Sequence, residues 1–220
     1  MSEPIRVFLA GDSTVQTYGP EKAPQAGWGQ YIGDSFRENV RVVNRSMAAR
    51  SSKTFVEEGR LASILNDIGP GDWLLVQMGH NDANREKPER YTDPETEFPR
   101  YLRLYLDGAR EKGAFPLLVT PIARLHWESG VFLNDFPKYC KAMKRLGREE
   151  NVPVVDLMSL WRQKLQRTGP EAARAWYMAF VNGTDLTHFN QTGAREAAAV
   201  LAGGIRRSGI SLARCLKADV

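Results

Sequence analysis

The feature that most constrains this chain is a set of five short apolar or β-branched runs, Ile5–Ala10, Val40–Asn44, Trp73–Met78, Phe115–Val119 and Val152–Val155, with amphipathic segments between them. Trp73–Met78 is apolar almost throughout, as a strand covered on both faces must be. Helical spacing is predicted over Gly27–Arg37, where Trp28, Tyr31, Ile32 and Phe36 share a face. It recurs from Lys53 through Glu58 with Leu61–Leu65 as a further piece, and over Phe98–Lys112, Asp135–Glu150, Leu157–Arg167 and Thr192–Arg207. Segments 16–26, 83–97 and 122–134 and the stretch that reaches Asp185 and His188 read as loops. Strands alternating with helices dictate a parallel sheet with helices on both faces and right-handed crossovers. At 220 residues and 42% hydrophobic, the chain suits one α/β domain over positions 1–220.

Open sheets of this kind bind ligands beyond the carboxyl ends of their strands, where the strand order reverses. For an order 2-1-3-4-5 that point lies between the first and third strands. The turns that follow them are Gly11-Asp12-Ser13 and Gly79-His80-Asn81-Asp82, so two turns rich in reactive side chains are expected to be neighbours. Ser13 reads as a nucleophile, although Gly-Asp-Ser is also an ordinary turn composition. A serine hydroxyl needs a base and an oxyanion site. Asp185 lies three residues before His188, close enough on a tight turn to bond the ring and direct its other nitrogen to Ser13. The same two residues serve equally well as caps of the last helix. Asn81 offers an uncharged donor for an oxyanion, and also suits a turn. His80 is either a substrate contact or a packed histidine, and His126 suits a surface or rim position.

Composition narrows the function classes. The balance of 30 Lys+Arg against 26 Asp+Glu gives a formal +4, and the basic clusters at 141–145 and 206–207 fall at helical spacing, which points to solvated faces rather than a nucleic-acid surface. Cys140 and Cys215 are far apart and show no metal-ligand spacing, so free thiols and no structural zinc are expected. No apolar run approaches the ~18 residues of a bilayer span, and the first residues lack a secretion-signal pattern. A cytoplasmic protein without membrane attachment is the expectation.

Four segments carry a resemblance. Gly11-Asp12-Ser13, the stretch Asn44 to Ser51, Gly79-His80-Asn81-Asp82 and Asp185-Leu186-Thr187-His188 occur in the order of the four sequence blocks of the SGNH (GDSL-type) hydrolases. The wording Gly-Asp-Ser-Thr-Val at 11–15, Asn44-Arg45-Ser46 ahead of Ala49-Arg50-Ser51, and Glu58-Gly59-Arg60 is similar to the rhamnogalacturonan acetylesterase family. The resemblance implies a flavodoxin-like three-layer α/β/α sandwich and ester hydrolysis through an acyl-enzyme, with no metal and no cofactor. It implies Ser13 as nucleophile, His188 as base and Asp185 as the acid that orients it. The oxyanion hole would comprise the Ser13 N–H, the Asn81 side chain and the N–H of Ala49, which stands where the family has glycine and would narrow the acyl site. The expected substrate is acetylated carbohydrate, foremost pectic oligosaccharide, and candidate contacts are Trp28, Arg50, His80 and Trp127, with Lys53, Arg124, Trp176 and Tyr177 behind them. An esterase or thioesterase of the same architecture acting on other acyl groups is the alternative. A metal phosphoesterase lacks a His-x-Asp or Asp-x-His pair on the first strand, and a nucleotide-binding module lacks a glycine-rich phosphate loop.

Overall fold

The computed structural model describes residues 4–218. Five strands, β1 (Ile5–Gly11), β2 (Val40–Asn44), β3 (Trp73–Gln77), β4 (Phe115–Val119) and β5 (Val154–Val155), pair in parallel in the order β2-β1-β3-β4-β5. This is the flavodoxin-like arrangement expected from the sequence. All five residues of β3 are buried, as the apolar run Trp73–Val76 requires of a central strand, and the closing Gln77 is buried with its amide hydrogen-bonded. Register sets Val7 opposite Trp73 and Gly11 opposite Gln77, so β1 and β3 release their next residues side by side. β5 is shorter than its apolar run because Pro153 has no N–H to give the ladder, although its carbonyl accepts from Leu118.

Eight helices follow the chain: α1 (Ser52–Glu57), α2 (Arg60–Asp67), α3 (Glu97–Glu111), α4 (Pro137–Glu149), α5 (Leu157–Thr168), α6 (Pro170–Arg174), α7 (Ala179–Asn182) and α8 (Gln191–Ser208) among the described residues. They form two groups: α3 packs against α1, α2 and α4, while α8 packs against α5 and the segment 28–35. One continuous apolar cluster joins both groups to the sheet, with Leu9, Leu74, Leu117, Leu106 and Leu201 fully buried in it.

Local chemistry explains the boundaries. Ser51 and Thr54 form a reciprocal capping box at α1, Asp156 caps α5 through the Ser159 N–H, and Asn190 caps α8 through the Gly193 N–H. The helix predicted over Gly27–Arg37 is instead a pair of 3-10 turns, Trp28–Gln30 and Ile32–Ser35. Gly29 lies so close to the β1 turn that an added Cβ would stand 2.4 Å from the Val15 carbonyl oxygen. Three glycines in eleven residues also weaken an α-helix by about 1 kcal/mol each relative to alanine. The loop over 122–134 contains a two-residue antiparallel ladder, Trp127–Glu128 with Val131–Phe132, and the loop before His188 contains α6 and α7. No helix among the described residues is long and apolar enough to cross a membrane.

Candidate active site

The site begins at the turn after β1. Asp12 is fully buried, and its Oδ1 accepts from the Thr14 N–H at 2.9 Å and the Thr14 hydroxyl at 2.8 Å. Gln77, the last residue of β3, donates to the Thr14 hydroxyl at 2.7 Å, and the Tyr18 hydroxyl donates to the Ser13 carbonyl at 2.9 Å. Burial pushes the Tyr18 phenol up to about 12, which keeps it a donor. Ser13 is thereby presented on a turn whose neighbours are all committed to holding it.

His188 arrives from the other end of the chain. Met178 donates to its carbonyl at 2.8 Å, and the next two residues, Phe189–Asn190, pair antiparallel with Gln25–Ala26. Its Nε2 lies 2.9 Å from Ser13 Oγ and its Nδ1 lies 2.8 Å from Asp185 Oδ2. The other carboxylate oxygen of Asp185 accepts from the Thr187 and His188 N–H groups, both at 3.0 Å. Partial burial pushes the Asp185 carboxyl up, but those backbone donors and the imidazole outweigh it and hold it below the ordinary carboxylate value. An ionised acceptor on Nδ1–H leaves Nε2 as the acceptor facing the serine hydroxyl, the arrangement a general base requires.

Two further loops close on this turn. Met47 donates to the Gly11 carbonyl at 3.0 Å, Ala48 donates to the Gln16 side chain, and Asn44 donates to the Val15 carbonyl at 2.8 Å. Ala49 follows with φ of +67°, the left-handed region that glycine favours. Asn81 donates from Nδ2 to the Arg50 carbonyl at 3.0 Å, which spends one of its two amide hydrogens and joins the turn after β3 to the Ala49 loop. Among the described residues neither the Ser13 nor the Ala49 N–H is taken by a protein acceptor. Gly79, at φ +138°, makes the turn possible, because a Cβ there would stand 2.9 Å from the Pro121 ring.

Several candidate substrate contacts lie elsewhere. Trp28 is 1% exposed, and its indole donates to the Gln77 side chain at 2.9 Å. Tyr177 is buried between the Trp161 indole at 2.7 Å and the Ala123 carbonyl at 2.9 Å, and Trp176 stacks on Trp161. Trp28 and Tyr177 are core, and Trp176 is partly buried against it. His80 is the packed histidine of the two readings: Nε2 donates to the Ile122 carbonyl at 3.0 Å and Nδ1 meets Asp12 Oδ2 at 3.0 Å. Burial pushes the Asp12 carboxyl up, and His80 and Thr14 together pull it below its ordinary value. Both partners of His80 are then acceptors, so neither ring nitrogen is free for a substrate. Arg50 is paired with Glu58 at 2.8 Å. Trp127 stays exposed on the short hairpin against Phe132, and that loop is tied to the His188 loop by the Leu125 N–H on the Leu186 carbonyl at 2.8 Å. Tyr18, Gln77 and Asp12 are the residues that sequence reasoning missed; a buried strand ending in Gln was the available signal for one of them. Among the described residues no group of three His, Cys, Asp or Glu side chains is placed to hold a metal ion, and both cysteines are free thiols.

Residues 7–201 match the model of the GDSL-like Lipase/Acylhydrolase family. The chain is 54% identical over 206 residues to the Probable rhamnogalacturonan acetylesterase YesY of Bacillus subtilis, covering 94% of each protein. It is 42% identical to the Rhamnogalacturonan acetylesterase RhgT of the same organism, covering 96% of this chain and 94% of that one. The crystal structure of the Bacillus subtilis protein YxiM superposes with a TM-score of 0.85 at 30% identity, over 94% of this chain and 58% of that one. With the family match spanning nearly the whole sheet and the four loop segments at its carboxyl edge, this chain belongs to the GDSL-like lipase/acylhydrolase family.

Proposed function

We propose that the chain is a serine acetylesterase that removes acetyl groups from pectic, rhamnogalacturonan-type oligosaccharides. The observation that carries the chemistry is the continuous line Ser13 Oγ, His188, Asp185, with hydrogen bonds of 2.9 and 2.8 Å. The names of the relatives at 54% and 42% identity support the substrate.

In this reading Ser13 Oγ attacks the acetyl carbonyl while His188 Nε2 takes its proton and Asp185 balances the imidazolium. The tetrahedral oxyanion is held by the Ser13 and Ala49 N–H groups and the second amide hydrogen of Asn81. Each such donor is worth ~3–4 kcal/mol at the transition state. Collapse breaks the ester C–O bond, and His188 returns the proton to the departing sugar hydroxyl. Water, deprotonated by His188, then attacks the acetyl-enzyme and releases acetate, regenerating Ser13.

The test is acetate release from acetylated rhamnogalacturonan and acetylated xylan oligosaccharides by the wild type and by Ser13→Ala, with EDTA present. The expected result is release from the pectic substrate that falls by about 10³-fold or more in Ser13→Ala. Release from xylan alone overturns the substrate, and undiminished activity in Ser13→Ala overturns the mechanism. Cytoplasmic localisation belongs to the same proposal, and cell fractionation with an antibody to the chain checks it.

A further inference from the structure

A cavity of about 510 Å³ opens beside the nucleophile turn, lined by His80, Arg85, Arg124, Asp135 and Phe136 together with residues of the 83–86 segment. It is joined to Ser13 through packed groups. Asp12, next to Ser13 in the chain, bonds His80; His80 meets Phe136 edge-on at 4.6 Å; and the Arg124 guanidinium sits 5.1 Å from the Phe136 ring centre. A neighbouring hollow of about 260 Å³ shares Arg85, Asp135 and Phe136, so the cleft extends beyond a single small group.

The polar atoms of this cavity are unusual. Among the described residues three buried side-chain polar atoms have no hydrogen-bond partner, and two of them, Arg124 Nε and Asp135 Oδ2, belong to residues that line this cavity. A polar group left unpaired in a buried setting is costly, a charged one more so, and a ligand that let these two side chains complete their hydrogen bonds would bind with that gain. Neither Arg124 nor Arg85 is among the ion-paired cations of the described residues, in contrast with Arg50 on Glu58 and Arg103 on Glu149. Asp135 is fixed from its other side, where Oδ1 lies 2.6 Å from His126 Nδ1.

The pair defines a ligand chemistry. A guanidinium held over an aromatic ring offers a planar fork to a carboxylate. The carboxylate of Asp135, and that of the exposed Glu86, oppose a dianion such as phosphate but accept from hydroxyl groups. One carboxylate flanked by hydroxyls is a uronic acid. We propose that this cavity is a subsite for a uronate residue of the substrate, with Arg124 receiving the sugar carboxylate and the Asp135 side chain beside it accepting a ring hydroxyl. The proposal rests on the acetylesterase reading above and gives it a determinant for acidic over neutral sugars.

The experiment compares kcat/KM for an acetylated galacturonate-containing oligosaccharide with that for the same molecule methyl-esterified at its carboxyl groups, using the wild type, Arg124→Gln and Arg124→Lys. The wild type is expected to prefer the free acid by about 10–100-fold, Arg124→Gln to bring the ratio near one chiefly through KM, and Arg124→Lys to recover part of it. A wild type indifferent to esterification, or an Arg124→Gln enzyme that loses both substrates in parallel, overturns the subsite; thermal melting of both variants checks that they fold. A second arm measures inhibition of para-nitrophenyl acetate hydrolysis by unacetylated galacturonate oligosaccharide, with the corresponding galactose oligosaccharide as the neutral control. Stronger inhibition by the acid in the wild type than in Arg124→Gln supports the subsite even where no pectic acetate is released, which would sink the proposed function alone. Equal inhibition by both sugars overturns the subsite.

Discussion

Ala49 holds a backbone conformation that its own side chain disfavours. A left-handed φ of +67° costs a non-glycine residue about 1–2 kcal/mol, and glycine returns ~0.4–1 kcal/mol of that as greater freedom of the unfolded chain. Ala49→Gly is therefore expected to raise stability by about 0.5–1 kcal/mol, a rise in Tm of roughly 1–4 °C at this size. With the methyl gone from the acyl site, the rate on a butyryl ester should rise relative to the acetyl ester. A lower Tm in calorimetry would mean the loop is unstrained, and an unchanged acyl preference would mean the methyl does not face the acyl group. His80 makes a contrasting case. Removing it leaves the Asp12 carboxylate, 0% exposed, without the hydrogen bond from the ring, so His80→Ala should lose about 1–3 kcal/mol or more in urea unfolding. A loss below 1 kcal/mol would show that Asp12 does not depend on it. The meeting of Ser13, Asp185 and His188 was legible in the sequence through the resemblance of their turns, and of the Asn81 turn, to the blocks of one family, since each turn alone is an ordinary composition. Trp28, Tyr177 and His80 were not, because each is sorted into the core by an acceptor 40 to 70 residues away, on Gln77, Ala123 and Asp12.

The last helix does more than cover the sheet. The Asn190 side chain accepts from the Gly193 N–H at 3.1 Å and donates to the Ala175 carbonyl at 2.7 Å, so the start of α8 is locked to the segment that carries His188. Asn190→Ala is expected to lower stability by about 1–2 kcal/mol, as other N-cap removals do, and also to lower kcat several-fold by loosening His188. Asp156→Ala, which uncaps α5 away from the triad, should affect stability with little change in kcat. Equal kcat losses in the two would show that the Asn190 contact does not position the base. The sheet strands and the long helices α3, α4, α5 and α8 could be read from the sequence within a residue or two, because burial on both faces leaves short unbroken apolar runs in the strands and burial on one face imposes a period of 3.6 on the helices. The 3-10 turns after Gly27, the short helices α6 and α7 and the two-residue ladders could not. They are too short to show a period, and their hydrogen bonds go to partners set by the assembled fold, as with Ala26 opposite Phe189.

Across the whole molecule, buried carboxylates set how stability responds to pH, and they do not act in one direction. Asp12 and Asp185 sit below their ordinary values, so the stability they contribute is present above the unfolded value near 3.8 and is lost as pH falls through their folded-state values. Asp82 is the opposite case. It is 0% exposed, and burial raises it to about 6 in spite of hydrogen bonds from the Ser52 hydroxyl at 2.5 Å, the Ser52 N–H at 3.0 Å and the Thr92 hydroxyl at 2.8 Å. Between pH 3.8 and about 6 the folded chain binds more protons at this position than the unfolded chain, so stability falls as pH rises through that window. The full difference is on the order of 2–3 kcal/mol. Asp82→Asn keeps an acceptor for the Ser52 N–H, the first N–H of α1, while the amide donates to a hydroxyl that reorients, and it carries no charge at any pH. Urea unfolding at intervals from pH 4 to 7.5 should therefore show a wild-type stability that declines across the window relative to the variant, with the variant equal or superior at pH 7. Parallel curves for the two proteins would mean that the three hydrogen bonds outweigh burial and that Asp82 is ionised throughout, a fixed anion at the start of α1 rather than a proton reservoir behind the Asn81 turn.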